Sequence, residues 1–216
     1  MPVLLMRLAG PMQSWGTQSR FLHRDTGREP SKSGVIGVLC AALGRPRDAA
    51  LDDLAKLAMG VRVDREGRIA RDYQTAADVA RADGTSPDAV VSQRYYLADA
   101  DFLVGLEGDG DLLNALDLAL ATPYWPLYLG RKAFVPGWPV WIGPGRLREG
   151  DLRSTLAAYP WRPRDRREKP PERLRLVLET EPADGEMRHD LPLSFAARRF
   201  TLRYVKTEFC PTPGRG

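Results

Sequence analysis

At 216 residues, 43% apolar and 28% charged, the chain has an ordinary globular composition and enough length for a substantial core. No apolar run approaches the roughly 20 residues of a membrane-spanning helix, and the N-terminus lacks the basic-then-apolar pattern of a secretion signal, so a cytoplasmic setting without membrane is expected. The net charge of +4 is uneven: Asp99 to Ala121 carries only acidic charges, while the N-terminal stretch and the chain beyond Thr122 are basic. That distribution suits a polyanion on one face and a protein neighbour on another.

Val3 to Leu8 reads as a buried strand that stops at Gly10-Pro11. Lys32 to Leu43 reads as a helix closed by Gly44, with Pro46 beyond it as a stop signal. Its aliphatic residues cover most faces, which predicts tight packing on a sheet. Asp48 to Met59, apolar at Leu51, Leu54, Leu57 and Ala58, predicts a second helix. Val61 to Asp64 and Arg68 to Tyr73 flank Glu66-Gly67, the pattern of a hairpin. Residues 75 to 90 hold Gly84, Pro87 and little periodicity, and predict a mobile excursion. Tyr95 to Leu106 returns as strand, and Asp109 to Ala121 as an amphipathic helix with acidic residues favouring its N-terminus. Further strands are expected near Pro139 to Ile142, then a linker region around a short helix at Asp151 to Tyr159. Arg173 to Glu179, Met187 to Leu191 and Arg199 to Val205 read as a small antiparallel sheet.

This order is that of a split βαβ unit. The expected class is α+β: a ferredoxin-like (RRM-like) domain over residues 1–142 with a thumb hairpin at about 74–91. A linker and a small β-rich C-terminal subdomain follow over 143–216.

The chemistry concentrates first in Arg7-Leu8-Ala9-Gly10-Pro11-Met12-Gln13-Ser14-Trp15-Gly16 and Pro30-Ser31-Lys32-Ser33-Gly34. A helix N-terminus with unpaired N–H groups and a lysine is suited to an anion, phosphate above all. Ser31 stands where a Walker A loop needs glycine, so triphosphate binding fails on spacing. Lys32, Ser33 and Gly34 are therefore candidates for a phosphate site, and an ordinary helix cap is the plainer reading. Gln13 and Trp15 are candidates for reading a base, with Gly16 allowing close backbone approach. Trp15 could equally be a core residue.

Arg71, Tyr73, Arg94 and Tyr95 bracket the excursion and could stack on bases at the foot of a thumb, or belong to an ordinary surface hairpin. Arg131 and Lys132 lie among Tyr124, Trp125, Tyr128 and Phe134, basic residues interleaved with aromatics as in single-stranded nucleic-acid sites. His23 and His189 have no histidine partner in sequence, and with the separated Cys40 and Cys210 they give no zinc spacing and no disulfide framework. No cofactor, metal or catalytic residue is expected.

Arg7 to Gly16 and the block Gly27 to Gly44 resemble the CasD family, as do Arg71 to Thr75, Gln93 to Leu97 with Asp99, and Pro126 to Lys132. The likeness spans residues 3 to about 135 and is loose in the C-terminal third. It implies a non-catalytic subunit of the type I-E CRISPR complex Cascade that caps the 5′ handle of the CRISPR RNA. Implied partners are that RNA, the large subunit and the backbone subunits, with target DNA met through the complex. In related type I-C complexes a similar subunit cuts the precursor RNA, so a metal-independent endoribonuclease is the rival reading. A structural scaffold with a basic face is the third.

Overall fold

Strand β1 (Pro2–Ala9) is buried from Val3 to Ala9 because both of its faces are covered. Leu4, Met6 and Leu8 point into one apolar core, and Val3 and Leu5 into another, as the two-residue period of a strand requires. The computed structural model describes residues 1–17, 22–80, 84–85, 89–143 and 147–214. It is an α+β protein whose sheets are mostly antiparallel.

The larger core is closed by α1 (Lys32–Leu43) and α3 (Gly110–Ala121), which touch each other; among the described residues the one helix between them in sequence is the four-residue α2 (Asp52–Ala55). Both long helices begin where the sequence predicts. Ser31 caps α1 by accepting from the Gly34 N–H at 3.3 Å, and Gly44 closes it at φ 72°. Asp109 caps α3 through the Leu112 N–H. The smaller core lies under α4 (Leu152–Ala158), whose Leu152 and Leu156 rest on Gly60 and Gly105. Any side chain at either glycine would come within 2.7 Å of those leucines. The buried Arg62 completes this layer, donating to the carbonyls of Leu156, Tyr159 and Pro160 at the end of α4 and to Asp64.

Among the described residues the main sheet has seven strands, in the order β10-β11-β9-β4-β7-β1-β8. Here β4 is Ala58–Arg65, β7 Asp101–Glu107, β8 Leu147–Glu149, β9 Arg173–Thr180, β10 Glu186–Ser194 and β11 Arg199–Pro211. The C-terminal strands form where expected. They extend the main sheet through the β4–β9 pairing instead of standing as a separate sheet. At Pro139 to Ile142 only a bridge between Met6 and Trp141 forms, and the last strand before α4 is β8.

A second sheet holds β2 (Met12–Gln13), β3 (His23–Arg24), β5 (Arg68–Ala77) and β6 (Ala89–Ala98). The hairpin expected across Glu66-Gly67 does not form. β4 pairs with β7 and β5 with β6, both antiparallel and offset by one bulge between Val63 and Arg65, so residues 58–77 and 89–107 make one long ribbon. It bends at Gly67 (φ 70°) and Asp99 (φ 58°) from the main sheet into the thumb. The excursion is accordingly shorter than expected, with strand reaching Ala77 and resuming at Ala89, and 81–83 and 86–88 of its tip lie outside the described residues. The helix expected over Asp48 to Met59 shrinks to α2, because Met59, Val61 and Val63 serve the core as alternate residues of β4.

Candidate nucleic-acid interface

The helix N-terminus at Ser31-Lys32 does hold an anion, and the anion is internal. The Lys32 N–H donates to Asp190 Oδ2 at 2.8 Å, and Asp190 is itself held by Arg203 through Nε at 2.6 Å and Nη2 at 2.9 Å. The Lys32 ammonium is 4% exposed and paired with Glu179, Nζ lying 2.7 and 3.0 Å from its two oxygens. Burial pulls the Lys32 pKa down, opposed by the Glu179 carboxylate. The expected role of Lys32 as a phosphate ligand is thereby corrected: its charge fastens α1 to the C-terminal strands.

Gln13 and Trp15 also turn inward. Gln13 Nε2 donates to the carbonyls of Leu8 (3.1 Å) and Ala100 (2.7 Å), and its Oε1 accepts from Trp15 Nε1 at 3.1 Å. Both residues are fully buried, so neither presents a face to a base. The Trp15 ring lies against Gly34, where a Cβ would sit 2.7 Å from Cε3. Gly34 is thus demanded by ring packing. Gly16 remains exposed beside them.

What stays open is a pair of clefts along the outer side of α1. The smaller, about 300 Å³, runs between Gly16, Arg24, Ser33, Gly34 and Arg131, with Phe195 and Phe200 as its far wall. The larger, about 610 Å³, crosses Gly37, Val38 and Ala41 to Arg45, Arg47, Trp125, Tyr128 and Lys132. Ser33, Gly34, Gly130 and Phe195 line both, so the two join at the start of the helix. Gly37 leaves the floor of the larger cleft bare, with no atom within 4 Å of a Cβ placed there. Gly130 has φ 86° and passes so close to the Ser14 carbonyl that no side chain fits, which fixes where Arg131 and Lys132 leave the backbone.

Arg131 is the best-positioned cation. Its Nη2 donates to the carbonyls of Tyr95 (2.8 Å) and Arg24 (3.4 Å), and its guanidinium lies 5.3 Å from the centre of the Phe134 ring. Among the described residues its buried Nη1 has no hydrogen-bond partner. Burial, with Arg94 and Arg24 nearby, pulls the Arg131 pKa below its ordinary value, and Asp72 and Asp25 only partly oppose this. Arg24 and Arg94 face each other across the parallel β3–β6 pair. Arg45, in the larger cleft, is paired with Asp53 and holds that carboxyl below the usual carboxylate range. Lys132 is exposed on the cleft rim.

The thumb residues divide between two faces. In the β5–β6 register Asp72 opposes Arg94, whereas Arg71 opposes Tyr95 and Tyr73 opposes Gln93. Alternation therefore puts Arg94 on one face of the ribbon and Arg71, Tyr73 and Tyr95 on the other. Arg71 and Tyr73 are exposed and line neither cleft. Sequence reasoning missed Arg24, Arg45, Arg47, Phe195 and Phe200 as cleft residues. Of these, Arg45 and Arg47 carried a signal, two cations flanking Pro46 directly after the helix stop. His23 and His189 are both exposed, on different sheets, and no group of His, Cys, Asp and Glu among the described residues could hold a metal.

A family model described as CRISPR-associated protein (Cas_Cas5) matches residues 3–206. The chain belongs to that CRISPR-associated family. It is similar, at 35% identity over 173 residues, to the CRISPR system Cascade subunit CasD of Escherichia coli (strain K12), a match covering 72% of this chain and 76% of that protein. A solved structure described as a Cas protein superposes with TM-score 0.82 at 46% identity, covering 100% of this chain and 99% of the other. A chain of a CRISPR RNA-guided surveillance complex gives TM-score 0.81 at 36% identity, covering 98% of this chain and 91% of its own. The two clefts are thus features of a Cas-family chain, and the family match runs through Phe195 and Phe200 in the C-terminal part.

Proposed function

We propose that this chain is the Cascade subunit that caps the 5′ handle of a CRISPR RNA, holding it without cutting it. The observation that carries this reading is the joined pair of clefts over α1, walled by Arg24, Arg131, Arg45, Arg47 and Lys132 and by Trp125 and Tyr128. Spaced cations track a phosphate backbone, and aromatic faces accept unpaired bases. The relatives described as CasD and as part of an RNA-guided surveillance complex support the assignment.

The order β4-β7-β1-β8, with α1 and α3 as the crossing helices, supports a ferredoxin-like core. In this reading the RNA-binding domain expected over residues 1–142 runs on through β8, with the β5–β6 ribbon as its thumb. The residues after β8 add the β10–β11 hairpin that walls the smaller cleft. The exposed face of α3, where Leu118 is 70% accessible beside Asp111, is offered to protein neighbours, the large subunit and the backbone subunits. Target DNA is met through the assembled complex, in the cytoplasm. No helix among the described residues is long and apolar enough to cross a membrane.

Incubating the purified chain with unprocessed repeat RNA, without metal, tests the proposal. Tight binding with the RNA left intact is expected. Site-specific cutting that disappears in His23→Ala would establish the endoribonuclease instead.

A further inference from the structure

Three observations meet in the smaller cleft that the handle-holding role alone does not require. First, Arg24 and Arg131 line the cleft where β3 and β6 run parallel, with Arg94 close by but off its lining, and Arg131 keeps a buried N–H without a partner among the described residues. Second, the opposite wall is built by Phe195 and Phe200 from the β10–β11 hairpin, with Phe195 packed in part against the larger core. Third, the Ser33 side chain stands between these walls, its Oγ 3.4 Å from that of Ser31, the helix cap. At about 300 Å³ the space is at the small end of ligand clefts. One wall carries Arg24 and Arg131 against the single carboxylate of Asp25, a net attraction for an anion, and the other offers aromatic faces, which is the chemistry of a single nucleotide.

We infer that this cleft is a one-nucleotide subsite of the RNA path, resting on the RNA-holding role proposed above. The flanking phosphate sits against Arg24 and Arg131, and the base stacks on Phe195 and Phe200. Arg94 acts as a positioning residue behind them, its Nε held by Ser92 Oγ at 3.1 Å. The C-terminal hairpin is thereby part of the recognition surface. Base stacking on an aromatic wall tolerates any base, so this subsite fixes register on the strand more than sequence.

The test uses the full chain and the repeat-derived 5′ handle as synthetic RNA, with 2-aminopurine placed at each position in turn. Positions that stack on aromatic side chains are expected to be quenched on binding, one of them through Phe195. Phe195→Leu, which keeps apolar packing and removes the π face, should abolish that quench and weaken binding about 5- to 150-fold. An abasic nucleotide at that position should weaken the native chain but add little to the Phe195→Leu variant. Phe195→Trp should restore the quench, which separates stacking from folding. Arg24→Gln should lower the slope of log affinity against log salt by about 0.7. Tight RNA binding with no quench lost in Phe195→Leu, and with affinity unchanged in that variant and in Arg24→Gln, would overturn the subsite while leaving the RNA role intact. No RNA binding at all would overturn both.

Discussion

Replacing Lys32 with methionine separates the two roles this lysine can have. In the structure its Nζ lies 2.7 Å from a Glu179 oxygen, with the two side chains 4% and 15% exposed. Glu179 also accepts from the Met59 N–H at 2.6 Å, so the pair ties the start of α1 to β9 and to the start of β4. Removing one partner of a buried pair costs about 3–5 kcal/mol, because the other charge stays buried and uncompensated. Glu179 keeps one backbone donor and some access to water, so the lower end, about 3 kcal/mol, is expected. Adding Glu179→Gln, which keeps an acceptor for Met59 and removes the stranded charge, should recover most of that loss. Urea unfolding followed by tryptophan fluorescence measures both variants. RNA titrations across salt concentrations measure the other role, and Lys32→Met should leave the salt slope unchanged. A variant as stable as the native chain that loses about 0.7 from the slope would place Lys32 on the RNA and refute the reasoning.

Two further outcomes follow from the same geometry. Gly34→Ala pushes a methyl to within 2.7 Å of a Trp15 ring held by Gln13, and should lower stability by about 1–2 kcal/mol in urea unfolding despite the better helix propensity of alanine; a rise in stability would contradict it. Asp53→Asn releases Arg45 into the larger cleft and should steepen the salt dependence of RNA binding by about 0.7, with no change if Arg45 is remote from the RNA.

Local chemistry made part of this molecule legible in its sequence. The Ser31 cap, the Gly44 terminus and the Asp109 cap are decided within a few residues, and α1 and α3 appear where those signals stand. The apolar run of β1 was readable as buried, although not that α4 would cover its second face. The Glu66-Gly67 turn signal was real but marks a bend in a ribbon, because the strands on either side of it pair with residues much further along the chain, β4 with β7 and β5 with β6. The same limit governed the site. Lys32 and Gln13 have the right donors for RNA, yet Lys32 is taken by Glu179 and Asp190 and Gln13 in part by Ala100, all far away in the chain. Arg24, Arg131 and Phe195 share one cleft only after the sheets have closed, so no spacing could announce them.

The central claim is that RNA lies in the cleft over α1, and Gly37→Glu tests it most directly. A Cβ at this helical position meets nothing within 4 Å, and glutamate is the better helix former, so the fold should be as stable as before or slightly more so. The new side chain would occupy the floor of the larger cleft with bulk and negative charge, facing the path assigned to the phosphates. Measured by filter binding on the purified chain at fixed salt, handle RNA affinity should fall at least tenfold while urea unfolding shows no loss of stability. Native affinity in a fully folded Gly37→Glu chain would contradict the account.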